Sequence, residues 1–195
     1  RAWEQAAREN GVTVGKGVYR EALGAGKIVH QLRQDVAALM GVAPERICLP
    51  FSATFGLNQA IHGVLQYGDH VIATAADHNA TLRPLRYLQK KGQIHLTIVP
   101  CDTRGWVDPD EIIRAWQTNT RLVAVSHASN VTGVVQDVKT IVNMVREREA
   151  ISLLDASQSL GQVPFSKDTP TADIVVAPGH KWLLGMHGTA VLSVR

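Results

Sequence analysis

Cysteine, charge of one sign and long apolar runs are all scarce in this 195-residue sequence, and each scarcity narrows what the protein can be. The two cysteines, Cys48 and Cys101, form neither a disulfide framework nor a metal-type spacing, so reduced thiols in a cytoplasmic protein are expected. The formal net charge is only +3, and the lysines and arginines are scattered rather than striped, which leaves no electrostatic footprint for a nucleic-acid partner. No apolar run reaches the length needed to cross a bilayer, so no membrane partner is expected either. The eight histidines are dispersed, with no pair at metal-ligand spacing, and no metal site is expected. Two nucleotide signatures fail as well. Gly24-Ala25-Gly26-Lys27-Ile28 resembles part of a phosphate loop, but position 21 is Glu and Ile28 lacks the hydroxyl that would hold magnesium; Gly15-Lys16-Gly17 has no third glycine at the dinucleotide spacing.

What remains is a chain with 45% apolar and 19% charged residues, long enough to bury one sizeable core. After an irregular start, residues 22–40 carry Leu23, Val29, Leu32, Val36, Leu39 and Met40 at helical spacing, with Gly41 in the stop position. A short strand is expected at Arg46–Pro50, and a helix follows Ser52-Ala53-Thr54. From there strands at 71–73, 94–99, 122–125, 151–154, 174–177 and 188–194 are expected to alternate with helices at 82–88, 108–116 and 138–148. Short apolar strands between helices imply a three-layer α/β/α fold around a mostly parallel sheet. No repeat or linker divides the sequence, so residues 1–195 read as one domain. It reads as an incomplete one, because the chain starts without Met and stops directly after a strand.

In such sheets the ligand lies beyond the carboxyl ends of the strands. Asp77-His78-Asn79, Ser126-His127-Ala128-Ser129-Asn130, Asp155-Ala156-Ser157-Gln158 and Gly179-His180-Lys181 each follow an expected strand, delivering titratable and amide groups to one edge. Ser52-Ala53-Thr54, at a helix start, offers either a phosphate cradle or a simple helix cap. Asp155 directly follows an apolar strand, where a carboxylate is costly without a cationic partner; capping of the next segment is the plainer use. Lys181 sits three residues past another such strand, next to His180 and the apolar Trp182-Leu183-Leu184. A lysine in apolar surroundings becomes nucleophilic toward aldehydes, though a surface lysine is the commoner case.

Taken in order, these elements resemble the class V aminotransferase family of enzymes dependent on pyridoxal 5′-phosphate (PLP), and most of all its cysteine desulfurase branch. The resemblance runs from about Gly15 to the end. It is most specific at Asp77-His78-Asn79-Ala80-Thr81-Leu82-Arg83-Pro84-Leu85, His127-Ala128-Ser129-Asn130-Val131-Thr132-Gly133 and Gly179-His180-Lys181. It implies the large domain of fold-type I PLP-dependent transferases, without the C-terminal small domain, in a homodimer. It also implies roles: Lys181 holds PLP as a Schiff base, His78 stacks on its ring, Asp155 pairs with the pyridine nitrogen and Gln158 reaches the phenolic oxygen. Asn130 then lies near ring and substrate, while Ala53, Thr54 and His180 meet the phosphate. Two positions depart from the family pattern: Pro178 stands where a Ser or Thr phosphate ligand is usual, and Gly185-Met186-His187-Gly188 replaces the usual Gly-Pro, with His187 as a conceivable substitute phosphate contact.

The activity implied is conversion of L-cysteine to L-alanine, with the sulfur passed to an enzyme cysteine beyond residue 195 and onward to a sulfur-acceptor protein. Cys48 and Cys101 match no such cysteine and read as structural. A class V aminotransferase, a related lyase or epimerase, or a catalytically degenerate interaction protein would share the same residues.

Overall fold

The computed structural model describes residues 2–165 and 172–195. By its internal contacts the chain divides after Ile47. The first unit holds helices α1 (Ala2–Asn10) and α2 (Arg20–Met40), followed by a 3-10 turn at Pro44–Arg46. α2 ends as its sequence predicts. Gly41 takes the left-handed φ of 67°, its N–H reaches Ala38 O, and the N–H of Val42 reaches Ala37 O at 3.0 Å. This closes the last turn in the manner that glycine favours, because it has no Cβ to clash. α1 replaces the irregular start expected from the sequence. Its Ala, Glu, Gln and Arg residues are strong helix formers, and Arg8 bonds to Glu4 at 2.8 Å one turn away, so propensity makes a helix where no apolar stripe announced one.

The strand expected at Arg46–Pro50 shrinks to β1 (Ile47–Cys48), at the division between the units. The second unit then alternates: α3 (Ala53–Val64), β2 (Asp69–Thr74), α4 (Asn79–Lys90), β3 (Ile94–Val99), α5 (Pro109–Arg114), β4 (Thr120–Ser126), α6 (Val138–Glu147), β5 (Ile151–Asp155), β6 (Ile174–Pro178) and β7 (Ala190–Val194). These six strands lie in the order β7-β6-β5-β4-β2-β3. All neighbours are parallel except β6 and β7, which pair antiparallel from Ile174↔Val194 to Pro178↔Ala190. The mostly parallel α/β sheet expected from the sequence is thus present.

Side-chain alternation decides which layer each strand residue joins. Val71, Ala73, Leu122, Ala124, Leu153 and Val176 pack in one cluster with Leu57 and Ile61 of α3 and Leu82, Leu85 and Leu88 of α4. Ile72, Val123 and Val125 point the other way, into a cluster with Ile112 of α5 and Ile141 and Val145 of α6. Because both faces are covered, the strands have no polar side and can present chemistry only at their ends. Among the polar groups buried within strands, His70 of β2 bridges Thr120 Oγ1 and Thr97 Oγ1, each at 2.8 Å, tying β4 and β3 to it. Burial, with a smaller push from His95, lowers its pKa below the ordinary histidine value.

α4 begins at Asn79, three residues earlier than its apolar pattern suggests. The reason is a cap: His78 Nδ1 accepts the N–H of Ala80 at 3.1 Å. Pro84, the sixth of the twelve residues of α4, forfeits one helix bond, yet the helix runs on to Lys90. Among the described residues no helix is long and apolar enough to cross a membrane. Leu85 is fully buried in the α3–α4 layer, so Leu85→Ala is expected to cost roughly 2–5 kcal/mol of stability, read as a lower urea midpoint with little change in slope.

Candidate functional site

Eight residues singled out from the sequence line one cleft at the carboxyl ends of β2, β4, β5 and β6: Ala53, Thr54, His78, Asn130, Asp155, Gln158, His180 and Lys181. The topology explains the convergence. Parallel pairing sets Ser126 opposite Asp155, and Asp155 opposite Val176, so the segments after three neighbouring strands emerge side by side.

At one wall, Ser52 serves as the N-cap of α3 and accepts the N–H of Phe55 at 3.1 Å. The capping reading of this serine is therefore realised, without cost to the other reading. Helix geometry leaves the first N–H groups, those of Ala53 and Thr54, without intrahelical acceptors at the positive end of the helix. At the opposite side, Asp155 is the last residue of β5, 5% exposed, and its Oδ1 accepts the N–H of Ser157 at 2.9 Å. No cation pairs with it among the described residues. Gln158 follows on the same turn, half-buried, with its Oε1 accepting from Trp182 Nε1 at 3.1 Å.

Lys181 rises from the turn after β6, and neither a carboxylate nor a hydrogen-bond partner holds its amine among the described residues. This turn is shaped by glycine. The N–H of Gly185 closes back on Gly179 O at 2.8 Å, and a Cβ on Gly179 would lie 2.3 Å from Thr189 Oγ1. His180 lines the cleft with its Nδ1 buried and unpartnered, its ring stacked on His187 at 4.3 Å. His187 itself does not line the cleft. Pro178 does, as the final residue of β6. The neighbouring acceptor, Thr189 O, takes its donor from Gly179 N–H at 2.8 Å.

Asn130 sits at the tip of a tight turn, where Ser129 Oγ accepts the N–H of Val131 at 3.1 Å and of Thr132 at 3.2 Å. Gly133, at φ 73°, bonds back to Ser129 O and aims the tip at the cleft. His78 is exposed at its rim. With Nδ1 engaged as the acceptor for Ala80, a neutral His78 carries its proton on Nε2. His127, although part of the same sequence motif, turns away into the core, edge-on to Phe165; burial takes its pKa down to about 4. Cys48 is exposed, Cys101 is half-buried against the α5–α6 layer, and neither lines the cleft.

Sequence reasoning gave no role to Asp77, yet the structure makes it the brace of the site. Its buried carboxyl accepts the N–H of Thr74 at 2.7 Å and that of Ser126, while Ser126 Oγ takes the N–H of His78 at 3.4 Å. It thereby ties the end of β2 to that of β4 and fixes where His78 and the Asn130 turn begin. The signal was available: a carboxylate just after an apolar strand, the same clue that singled out Asp155. Burial pushes the Asp77 carboxyl up to about 7, against the pull of the Thr74 and Ser126 hydrogen bonds and with a smaller push from the charge of Asp155.

A free lysine, a strand-end carboxylate and a helix N-terminus thus face one cleft at the sheet's carboxyl edge, the place where α/β folds of this kind bind ligands. Known proteins make the assignment specific. The family model described as Aminotransferase class-V matches residues 2–195, and the chain belongs to that family. A probable cysteine desulfurase of Methanothermobacter thermautotrophicus is 32% identical over 193 residues, covering 98% of this chain and 48% of the relative. A cysteine desulfurase of Dictyoglomus turgidum is 29% identical over 171 residues, 86% of this chain and 43% of its own. Among solved structures, the apo cysteine desulfurase of Thermococcus onnurineus superposes with a TM-score of 0.89 at 28% identity, covering 98% of this chain and 50% of that one. The chain thus spans about half the length of the relatives it matches.

Two outcomes test the brace and the turns. Between its ordinary 3.8 and about 7, the folded protein holds a proton on Asp77 that the unfolded chain releases, so this group's contribution to stability is full below that window and lost as pH rises through it. Melting temperatures measured from pH 4 to 8 are expected to fall less steeply in Asp77→Asn than in the parent, from a lower starting point because an amide nitrogen would face one of the two N–H donors. Gly161, at φ 93°, has the Trp182 carbonyl oxygen 2.6 Å from where a Cβ would stand. Gly161→Ala is accordingly expected to lower stability by about 1–3 kcal/mol in chemical denaturation.

Proposed function

We propose that this chain is the PLP-binding part of a cysteine desulfurase, acting on L-cysteine as a homodimer and passing sulfur to an acceptor protein. The observation that carries the reading is the convergence of an unpaired Lys181, a buried Asp155 without a cation, and the N-terminus of α3 on one cleft. The names of the relatives support the branch, and the described residues fit the cofactor. The buried, unpartnered Nδ1 of His180 and the N–H groups of Ala53 and Thr54 suit an anionic phosphate, with the Thr54 hydroxyl beside them. The Asp155 carboxylate suits a protonated ring nitrogen, for which burial without a cation would otherwise be costly. Pro178 has no hydroxyl or N–H to offer a phosphate, so among the described residues that load would fall on the helix end and His180.

Bound PLP would supply an electron sink for charge developing at the substrate's α-carbon. The chain's own residues do the rest. Lys181 Nζ would hold the cofactor, and its amine, when not so engaged, would be the base for the substrate's α-proton. Asp155 would hold a proton on the ring nitrogen and so preserve that sink. Gln158 would contact the phenolic oxygen, and Asn130, at its turn tip, would orient the ring and the substrate carboxylate. His78, capped into place through Nδ1, presents its ring to stack on the cofactor and Nε2–H to the cleft. No cysteine lines the cleft among the described residues, so the sulfur-accepting thiol in this reading comes from elsewhere in the protein.

The purified protein is expected to be yellow, and borohydride followed by peptide mass analysis should place the reduced adduct on Lys181. A colourless protein that takes up no PLP, or an adduct retained in Lys181→Ala, contradicts the cofactor assignment. Sulfide and alanine formed from L-cysteine, rather than a keto acid formed with an amino acceptor, distinguish a desulfurase from an aminotransferase.

A further inference from the structure

We infer that Trp182, which does not line the cleft, is a positioning residue that turns the Gln158 side-chain amide so its NH2 faces the bound cofactor. The inference rests on the cofactor reading above and extends it to a residue that reading does not use. An indole N–H can only donate, so the Gln158 atom 3.1 Å from Trp182 Nε1 must be the carbonyl oxygen. With Oε1 committed, the remaining end of the amide, two N–H donors, is left for the cleft that Gln158 lines. Without Trp182 the amide could flip and present an oxygen to an oxygen, repelling a ring oxyanion instead of binding it.

The backbone on both sides is already fixed, so the side-chain torsion is the freedom left for Trp182 to remove. Ahead of Gln158, Ser157 N–H is held by Asp155 Oδ1 at 2.9 Å; behind it, Ser159 N–H bonds to Ala156 O at 3.1 Å and Gln162 N–H to Ser159 O at 2.9 Å. Around Trp182, Leu184 N–H closes on Lys181 O at 3.1 Å and Gly185 N–H on Gly179 O at 2.8 Å. Gly161, lacking a Cβ, lets the Trp182 backbone lie directly against the Gln158 turn. Trp182 adjoins Lys181 in sequence, so its hydrogen bond also links the turn bearing the amine to the turn bearing Asp155.

The test is a double-mutant cycle on the whole protein with PLP as the probe. Trp182→Phe, which keeps a ring but removes the donor, is expected to retain the borohydride-fixed adduct on Lys181. Its PLP dissociation constant should rise about three- to tenfold, the size of one ordinary hydrogen bond. The pH midpoint of the visible absorption band should move upward by roughly half a unit to one unit, because a donor that favours the deprotonated ring oxygen is no longer held in place. In a Gln158→Leu background the same Trp182→Phe change should alter neither quantity, since Trp182 then has nothing to orient. An unshifted midpoint in Trp182→Phe, or an equal shift with and without Gln158, overturns the inference while leaving the cofactor reading intact. A parent protein that binds no PLP at all overturns both.

Discussion

The carboxyl of Asp77 is the constraint on which the geometry of the cleft depends. A parallel sheet clad on both faces leaves its strand ends free to splay, because each connection runs off to a different helix. β2 and β4 are neighbours in the sheet, yet their ladder reaches only from His70↔Thr120 to Ile72↔Val123 and stops short of the site. Beyond that point Asp77 takes over, accepting N–H groups from Thr74 and Ser126. Ser126 is in turn paired with Asp155, and Asp155 with Val176, so one carboxyl sets the relation of His78 to the turns after β4, β5 and β6. A residue that touches no ligand thus decides whether those that line the cleft can converge.

Much of this was legible in the sequence, and what was missed has identifiable causes. The parallel sheet could be read because strands buried on both faces are short apolar runs, and the site because polar groups recur after them. The glycine stop of α2 was readable for the same local reason. α1 was missed because its helicity comes from propensity without an apolar stripe. The start of α4 was missed because its cap is a histidine side chain, whereas the expected cap residues are small and oxygen-bearing. Gln158 could be assigned to the cleft, but the residue that fixes its amide could not, since Trp182 lies 24 positions away and reads as one more apolar residue in a run. Local chemistry survives in a single sequence; cross-loop hydrogen bonds do not.

The charge arrangement of the cleft also explains how the Pro178 departure can be tolerated. Lys181, the open N-terminus of α3 and the free nitrogen of His180 supply positive or donating character, and Asp155 the negative. A ligand complementary to this set carries an anion at one end and a protonated nitrogen at the other. A hydroxyl at position 178 would add one more donor near the anion. Proline instead ends β6 at its last pair with Ala190, and the neighbouring carbonyl of the partner segment, Thr189 O, already accepts the N–H of Gly179. The strand end gives up a donor, and in the proposed reading anion binding would fall more heavily on the α3 terminus. A charge that a helix end favours is worth only about a kilocalorie where solvent reaches it and more where it is partly buried. Gly56 of α3 lies so close to the sheet that a Cβ there would stand 3.0 Å from Val176 Cγ1 and 3.4 Å from Pro50 Cγ, so its bare backbone lets that helix end lie against the sheet, and the same packing that builds the core places the N-terminus of α3 at the cleft.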